Sequence, residues 1–269
     1  MPEGPEVKIF VEDLNQNFKY YQIKSVEILS GRYIKKLIPN LQTMSDKIIN
    51  SIECKGKFIW FDLGDIVIFN TLGMTGSWSR IKTKHSRISI SFYENDIIYF
   101  NDIRNFGTFQ IKSKQELLNK LKTLGPDMLS SPCTKNEFIR LLRKKNNKNI
   151  CDVIMNQSVI SGVGNYIKAE SLWYSRIYPH AFIKDLTDLN LETLWAAIKF
   201  VTNKSYEDEG ASIKDYYTFE GETGSAVKGF AVYGRKKDIN NNTVLKEKTP
   251  DKRTTHWVKE RQVYGSRIR

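Results

Sequence analysis

The sequence predicts an α+β multidomain protein: an N-terminal antiparallel β-sandwich flanked by helices, then a helical part ending in a small β-hairpin module. Three observations predict it. Period-two alternation recurs between residues 25 and 100, and period-3.6 patterning takes over from about residue 113. Between these regimes Gly125-Pro126 and Ser130-Ser131-Pro132 break the chain, marking residues 124–133 as a linker.

The first helix is signalled by Pro5, whose missing N–H costs nothing in a first turn, and by Glu6 at the positive end of the dipole. Val7, Phe10, Val11 and Leu14 then form one apolar face. Strand-like runs follow at Ser25–Leu29, Phe58–Leu63 and Ile66–Asn70. Ile88, Ile90 and Phe92 alternate with Arg87, Ser89 and Ser91, and Glu94-Asn95-Asp96 turns the chain into Ile97–Phe100. Ser113 with Glu116, and Thr134 with Glu137, have the capping-box spacing of helix starts. Leu191, Leu194, Trp195, Ile198 and Val201 make another helical face. Glu207–Thr223 is polar with glycines and reads as a loop. Phe230–Tyr233 and Thr254–Val258 are short β-like pieces in a basic tail. The expected domains are 1–123, a linker 124–133, a helical domain 134–229 and a hairpin module 230–269.

Forty percent hydrophobic and 27% charged residues are globular proportions, which exclude wholesale disorder. No run of 18 or more apolar residues is present, so no transmembrane helix is expected. The start, MPEGPEVKIFVEDLN, lacks the long apolar stretch of a secretory signal. Three cysteines (Cys54, Cys133, Cys151) make no disulfide framework and fit a reducing, intracellular setting. Forty-two Lys+Arg against 30 Asp+Glu leave a net charge of +12, which draws polyanions through counterion release. Nucleic acid is the leading partner on that ground, ahead of an anionic membrane surface.

The sharpest chemical signal is the beginning of the chain. Removal of Met1 ahead of the small Pro2 would leave a secondary amine at Pro2. Amines are nucleophilic only when unprotonated, and an α-amino group titrates near pH ~8, far below a lysine. Such an amine can attack a sugar carbon and form an iminium, an electron sink for elimination. Glu3 beside it is a carboxyl able to give or take a proton.

Six separated motifs together resemble the formamidopyrimidine-DNA glycosylase/endonuclease VIII (Fpg/Nei) family of DNA repair enzymes, in the family's order and over essentially the whole chain. They are Pro2-Glu3-Gly4-Pro5-Glu6-Val7, Lys55-Gly56-Lys57-Phe58, Leu72-Gly73-Met74-Thr75-Gly76, Asp102-Ile103-Arg104-Asn105-Phe106-Gly107, the run Asp152–Asn165 ending Gly162-Val163-Gly164-Asn165, and Phe230-Ala231-Val232-Tyr233-Gly234-Arg235. The resemblance implies a helix–two-turn–helix DNA-binding domain followed by a C-terminal finger. It implies that Pro2 attacks C1′ of a damaged nucleotide, displaces the base and cuts the strand by β,δ-elimination. Glu3 would be the acid/base, Glu6 a supporting carboxylate, and Lys57 a phosphate contact whose charge favours the neutral amine. Glu6 also has a plain reading as a helix-start residue.

A base inside a duplex cannot be reached, so the nucleotide must be flipped out and the hole filled. The resemblance implies Met74, Arg104 and Phe106 as the void-filling trio. An adaptable thioether, a planar cation and an aromatic wedge suit that task. Core packing is the ordinary reading of Met74 and Phe106, but each lies in a glycine-flanked turn. Gly162-Val163-Gly164-Asn165 before a helix offers amides to a phosphate, with Gly164 and Asn165 as DNA contacts. Arg253 falls where the family grips phosphate.

The tail departs from the commoner family pattern. A structural zinc needs four Cys/His ligands, yet no cysteine follows Cys151 and His256 is the single histidine after His180. The expectation is a zincless finger held by β-pairing and by packing of Trp257, Tyr233 and Val244, with no metal and no cofactor. With Gly4, this tail resembles the endonuclease VIII-like members rather than the Fpg type, which implies a preference for oxidised pyrimidines, ring-opened and hydantoin lesions over 8-oxoguanine, lesion choice resting on loops such as Lys214–Lys228. An 8-oxoguanine-preferring enzyme and a catalytically silent binder of damaged DNA are the alternatives. The expected partner is damaged double-stranded DNA, or single-stranded or bubble DNA, bound by a monomer without membrane contact.

Overall fold

The computed structural model describes residues 2–35, 38–211 and 229–265. The Lys214–Lys228 loop therefore lies outside the described residues. Two compact units divide the chain. The first takes residue 2, residues 6–123 and residues 209–211; the second takes residues 3–5, 124–208 and 229–265.

In the first unit, α1 (Gly4–Phe18) buries Val7, Phe10, Val11, Leu14 and Phe18 along one face, as the spacing predicts. Two four-stranded antiparallel sheets follow. One runs in the order β1 (Ile23–Ile28), β6 (Ser86–Phe92), β7 (Ile97–Asp102) and β5 (Gly76–Ser79). The other runs β2 (Ser51–Lys55), β3 (Phe58–Asp62), β4 (Ile66–Thr71) and β8 (Thr108–Ser113). Their inner residues share one core with the apolar face of α1. Trp78 of β5 joins the sheets: its ring lies 5.3 Å from Phe100 in its own sheet, and 5.6 Å and 6.2 Å from Phe61 and Phe109 in the other. The indole N–H donates to Asn70 Oδ1 at 3.2 Å, and Asn70 Nδ2 donates to the Thr108 carbonyl at 2.7 Å. A fully buried asparagine is thus satisfied on both sides, which offsets its desolvation.

β3 is buried on both faces. Ile59 and Phe61 enter the shared core, whereas Phe58 stacks on Trp60 and meets Phe69 edge-on at 4.9 Å. α3 (Lys114–Lys122) starts with the full Ser113–Glu116 capping box and lays Lys120 over the Phe58 ring. The remaining short elements of this unit are α2 (Arg32–Lys35) and a 3₁₀ turn at Leu41–Met44.

The second unit is helical. α4 (Lys135–Arg143) begins at Thr134, whose hydroxyl accepts the Glu137 amide. α5 (Ile150–Met155) is followed by tight turns and α6 (Asn165–Tyr174), and α6 packs on α7 (Asp188–Glu207). α7 carries a capping box of its own, Thr187 with Asn190. The expected linker 124–133 folds into this unit: Gly125 N donates to Gln157 O, and Ser161 N to Pro126 O.

The tail forms a hairpin of β9 (Leu245–Lys248) and β10 (Thr254–Trp257). Phe230–Tyr233, expected as β-like, is irregular because its amides are taken by a side chain. Glu170 on α6 accepts from Ala231 N, Val232 N and Tyr233 N at 2.7, 2.9 and 2.7 Å. Burial raises the Glu170 pKa above its ordinary range, against the pull of those three donors. Asp238 anchors the next turn, accepting from Trp173 Nε1 and the amides of Asn240 and Asn242. Arg261 donates to the Trp173 carbonyl and stacks 3.8 Å over its ring. Among the described residues no group of three or more His, Cys, Asp or Glu could hold a metal ion. None of the described helices is long and apolar enough to cross a membrane.

Asn70→Ala should lower the stability of the protein by about 1–3 kcal/mol, because it strands the Trp78 N–H and the Thr108 carbonyl. Urea unfolding followed by tryptophan fluorescence checks it; an unchanged midpoint would show that the inter-sheet bond carries no weight.

Candidate active site and nucleic-acid interface

Glu3 is 2% exposed, and its carboxylate sits on the first turn of α6. Oε1 accepts from Tyr166 N at 2.9 Å and Oε2 from Ile167 N at 3.3 Å. The positive end of a helix is a natural seat for a carboxylate. The approach is so close that a Cβ on Gly164 would overlap the Glu3 carboxyl group. Gly4 N donates to Gly162 O at 2.9 Å, and a Cβ on Gly4 would come within 3.1 Å of Gly162 Cα. Both glycines are thus explained by packing. The two amides that hold Glu3 belong to Tyr166 and Ile167, directly after the Gly162-Val163-Gly164-Asn165 turn that the sequence points to as a phosphate seat, and Gly164 makes room for the carboxylate by lacking a side chain.

Asn165 opens α6, and its Nδ2 donates to the Thr254 carbonyl of β10 at 3.0 Å. Its side chain also bonds the Tyr233 hydroxyl, and Glu3 and Arg253 act electrostatically on the same phenol. Burial pushes the Tyr233 pKa up, Glu3 adds to that, and Asn165 and Arg253 oppose it. Asn165, Arg253 and Glu3 therefore gather around Tyr233. Tyr233, expected to pack in the hairpin module, is also a polar partner of Asn165, and its place in the motif Val232-Tyr233-Gly234-Arg235 is the sequence signal for it.

The hairpin tip is tied to the same helix. Lys168, one turn after Asn165 and fully buried, pairs with Asp251 at 2.6 Å. Asp251 Oδ1 accepts from Thr249 Oγ1 at 2.5 Å, and Thr249 meets Thr255 Oγ1 at 2.7 Å. This leaves Arg253 exposed at the tip. His256 lies with its ring 4.9 Å from Tyr233, and burial with Lys246 and Lys168 nearby keeps its pKa below the ordinary value.

In the first unit, Pro2 and Glu6 are buried, and Glu6 Oε1 accepts from Ala211 N at 2.7 Å. Glu6 thus holds the stem that leads into residues 212–228. Lys57 lies in the two-residue turn between β2 and β3 rather than within a strand. Gly56 before it supplies the positive φ of 59° that such turns need.

Met74, Arg104 and Phe106 come from two loops that touch. Gly73, at φ 61°, comes so close to the second loop that a Cβ there would lie 2.8 Å from Gly107 N and 2.9 Å from the Phe106 carbonyl carbon. Phe106 is 53% exposed, and the Arg104 guanidinium rests 4.9 Å over its ring. Met74 is half-buried. Gly73 and the residue after it, Met74, thus lie where the first loop meets the backbone of Phe106 and Gly107.

Residues 1–109 match the family model of the formamidopyrimidine-DNA glycosylase N-terminal domain, and residues 124–216 that of the formamidopyrimidine-DNA glycosylase H2TH domain. A formamidopyrimidine-DNA glycosylase of a Wolbachia from Brugia malayi is 32% identical over 254 residues, covering 91% of this chain and 93% of its own. The MutM (Fpg) protein of Thermus thermophilus superposes with a TM-score of 0.88 at 25% identity, over 98% of this chain and 100% of the other. Lactococcus lactis Fpg in complex with DNA containing an abasic site gives 0.88 at 25% identity, over 97% and 99%.

Arg253→Ala should weaken duplex binding and lower the slope of log affinity against log salt by about 1, the signature of one lost phosphate contact. Fluorescence anisotropy across a salt series measures both; an unchanged slope would remove Arg253 from the interface.

Proposed function

The chain belongs to the formamidopyrimidine-DNA glycosylase family and is a DNA glycosylase of base excision repair; on that premise we propose that it is bifunctional, an AP lyase as well, with Pro2 as nucleophile. Pro2, freed by removal of Met1, attacks C1′ of the damaged nucleotide, and the bond from C1′ to the base breaks. The departing base takes up a proton. The sugar ring then opens: the C1′–O4′ bond breaks, O4′ takes up a proton, and the nitrogen lone pair forms an iminium with C1′. Loss of a C2′ proton sends its electron pair toward that iminium, and the C3′–O bond breaks as the 3′ phosphate is expelled. A second elimination expels the 5′ phosphate. Glu3 carries the protons of these steps. The observation that supports the reading best is the seat of Glu3: two helix amides fix the carboxylate of the residue next to Pro2. Preorganised geometry of this kind is what acid–base catalysis requires.

Lys57, Asn165 and Arg253 hold backbone phosphates, with Tyr233 beside the last two. Met74, Arg104 and Phe106 fill the gap left by the flipped nucleotide. Glu6 acts by anchoring the stem at Ala211. The substrates are damaged bases in duplex DNA, among them ring-opened purines of the formamidopyrimidine type. The relatives' name supports that class, as does a solved Lactococcus lactis Fpg complex with Fapy-dG-containing DNA.

Borohydride trapping on a duplex with an abasic site should capture the protein covalently, and Pro2→Gly should abolish capture. Persistent capture in that variant would move the nucleophile elsewhere. Gly164→Ala should keep DNA binding while base excision falls at least about a hundredfold, since its methyl displaces Glu3. Unchanged excision would take Glu3 out of the chemistry. Single-turnover excision of formamidopyrimidine, thymine glycol and hydantoin lesions ranks the substrates; fastest release of thymine glycol would restore the pyrimidine preference.

A further inference from the structure

Asp102 closes β7 and is 1% exposed, although it belongs to neither the catalytic nor the phosphate-binding group. Its two carboxylate oxygens serve two different loops. Oδ1 accepts from Thr75 Oγ1 at 2.6 Å, next to Met74. Oδ2 accepts from Gly107 N at 2.7 Å, next to Phe106. Thr75 completes a circuit, because its Oγ1 accepts from Arg104 N at 3.0 Å. One threonine hydroxyl, donor to the carboxylate and acceptor from the other loop's backbone, therefore binds the Met74 loop to the Arg104–Phe106 loop.

Each loop is also held on its own account. Gly76 N donates to Leu72 O at 2.8 Å and closes the first. The second is gripped at both ends: Arg87 donates to the carbonyls of Asp102 and Ile103 at 2.8 and 3.3 Å, while Tyr33 and Arg32 donate to that of Gly107. These bonds shape the loops separately. The Asp102–Thr75 circuit sets one against the other. Hydrogen bonds to an ionised, buried carboxylate are among the stronger ones, and Gly73 lets the two backbones close together.

We infer that Asp102 and Thr75 are positioning residues that lock the two loops into one wedge, so that Met74, Arg104 and Phe106 enter a duplex as a preset group. This rests on the void-filling role proposed above. Ordering the side chains before DNA arrives removes a cost that would otherwise fall on the insertion step. The circuit matters where there is a stack to open and is irrelevant to a strand that is already single.

The test compares strand cleavage at an abasic site in a duplex and in a single-stranded oligonucleotide. Thr75→Val, which keeps the shape and removes the hydroxyl, should slow duplex cleavage about tenfold or more and leave single-strand cleavage at the parental rate. Thr75→Ser, which restores the hydroxyl, should restore duplex cleavage. Amide exchange at Arg104 and Gly107 should quicken in Thr75→Val without DNA present. Parental duplex cleavage with unchanged amide protection would overturn the inference, and so would an equal slowing on both substrates. Met74→Ala and Phe106→Ala on the same duplex judge the wedge itself. If both cleave normally, the void-filling role falls, and the exchange result alone decides whether the loops are locked.

Discussion

A carboxylate bound by the first amides of a helix satisfies two constraints at once: the helix start needs acceptors and the acid needs donors. Here the acid is Glu3 and the helix is α6. That bond fixes the residue beside the proposed nucleophile, demands glycine at position 164 and brings Gly4 onto Gly162. From the same helix start Asn165 reaches Thr254 and Tyr233, and one turn on Lys168 pairs with Asp251. The proposed acid–base residue and the proposed DNA contacts of the second unit thus share one turn of helix as their reference point.

The C-terminal hairpin, whose sequence holds no cysteine, is organised by buried acids. Three acidic side chains do it: Glu170 gathers three consecutive amides, Asp238 closes a turn around Trp173, and Asp251 takes the buried ammonium of Lys168. Breaking such a buried pair is costly because one charge is left alone, which makes the pairing selective for a single register. The first unit uses the same device in Asp102, an acid at the end of β7 whose carboxylate accepts from two loops.

Much of this was legible in the chain and some of it was not, for identifiable reasons. α1 could be read because its one buried face repeats at helical spacing. β3 announced itself as an apolar run, but which of its residues face the core could not be read, since Phe58 and Trp60 on the outer face are covered as well. β2 and β8 escaped because they bury few side chains, Ile52 in the one and Phe109 with Ile111 in the other, and β5 because it spans only four residues. Pro2, Glu3 and Lys57 could be named from motifs. The seat of Glu3 could not, because it joins residues 163 positions apart. Distance along the chain likewise hid the gathering of Asn165 and Arg253 around Tyr233. Phe230–Tyr233 has strand-like composition, yet Glu170 supplies its acceptors, and no local pattern reveals a partner lying 61 residues before Ala231.

That Glu170 clasp has an evolutionary corollary. It recognises main-chain N–H groups, so the bonds themselves place no demand on the identity of the side chains at 231–233. Sequence drift there is limited by volume, since Ala231 and Val232 lie in the small core, and by one outright prohibition: proline, which has no N–H to offer, can never be accepted at any of the three positions without forfeiting a bond to a buried acid.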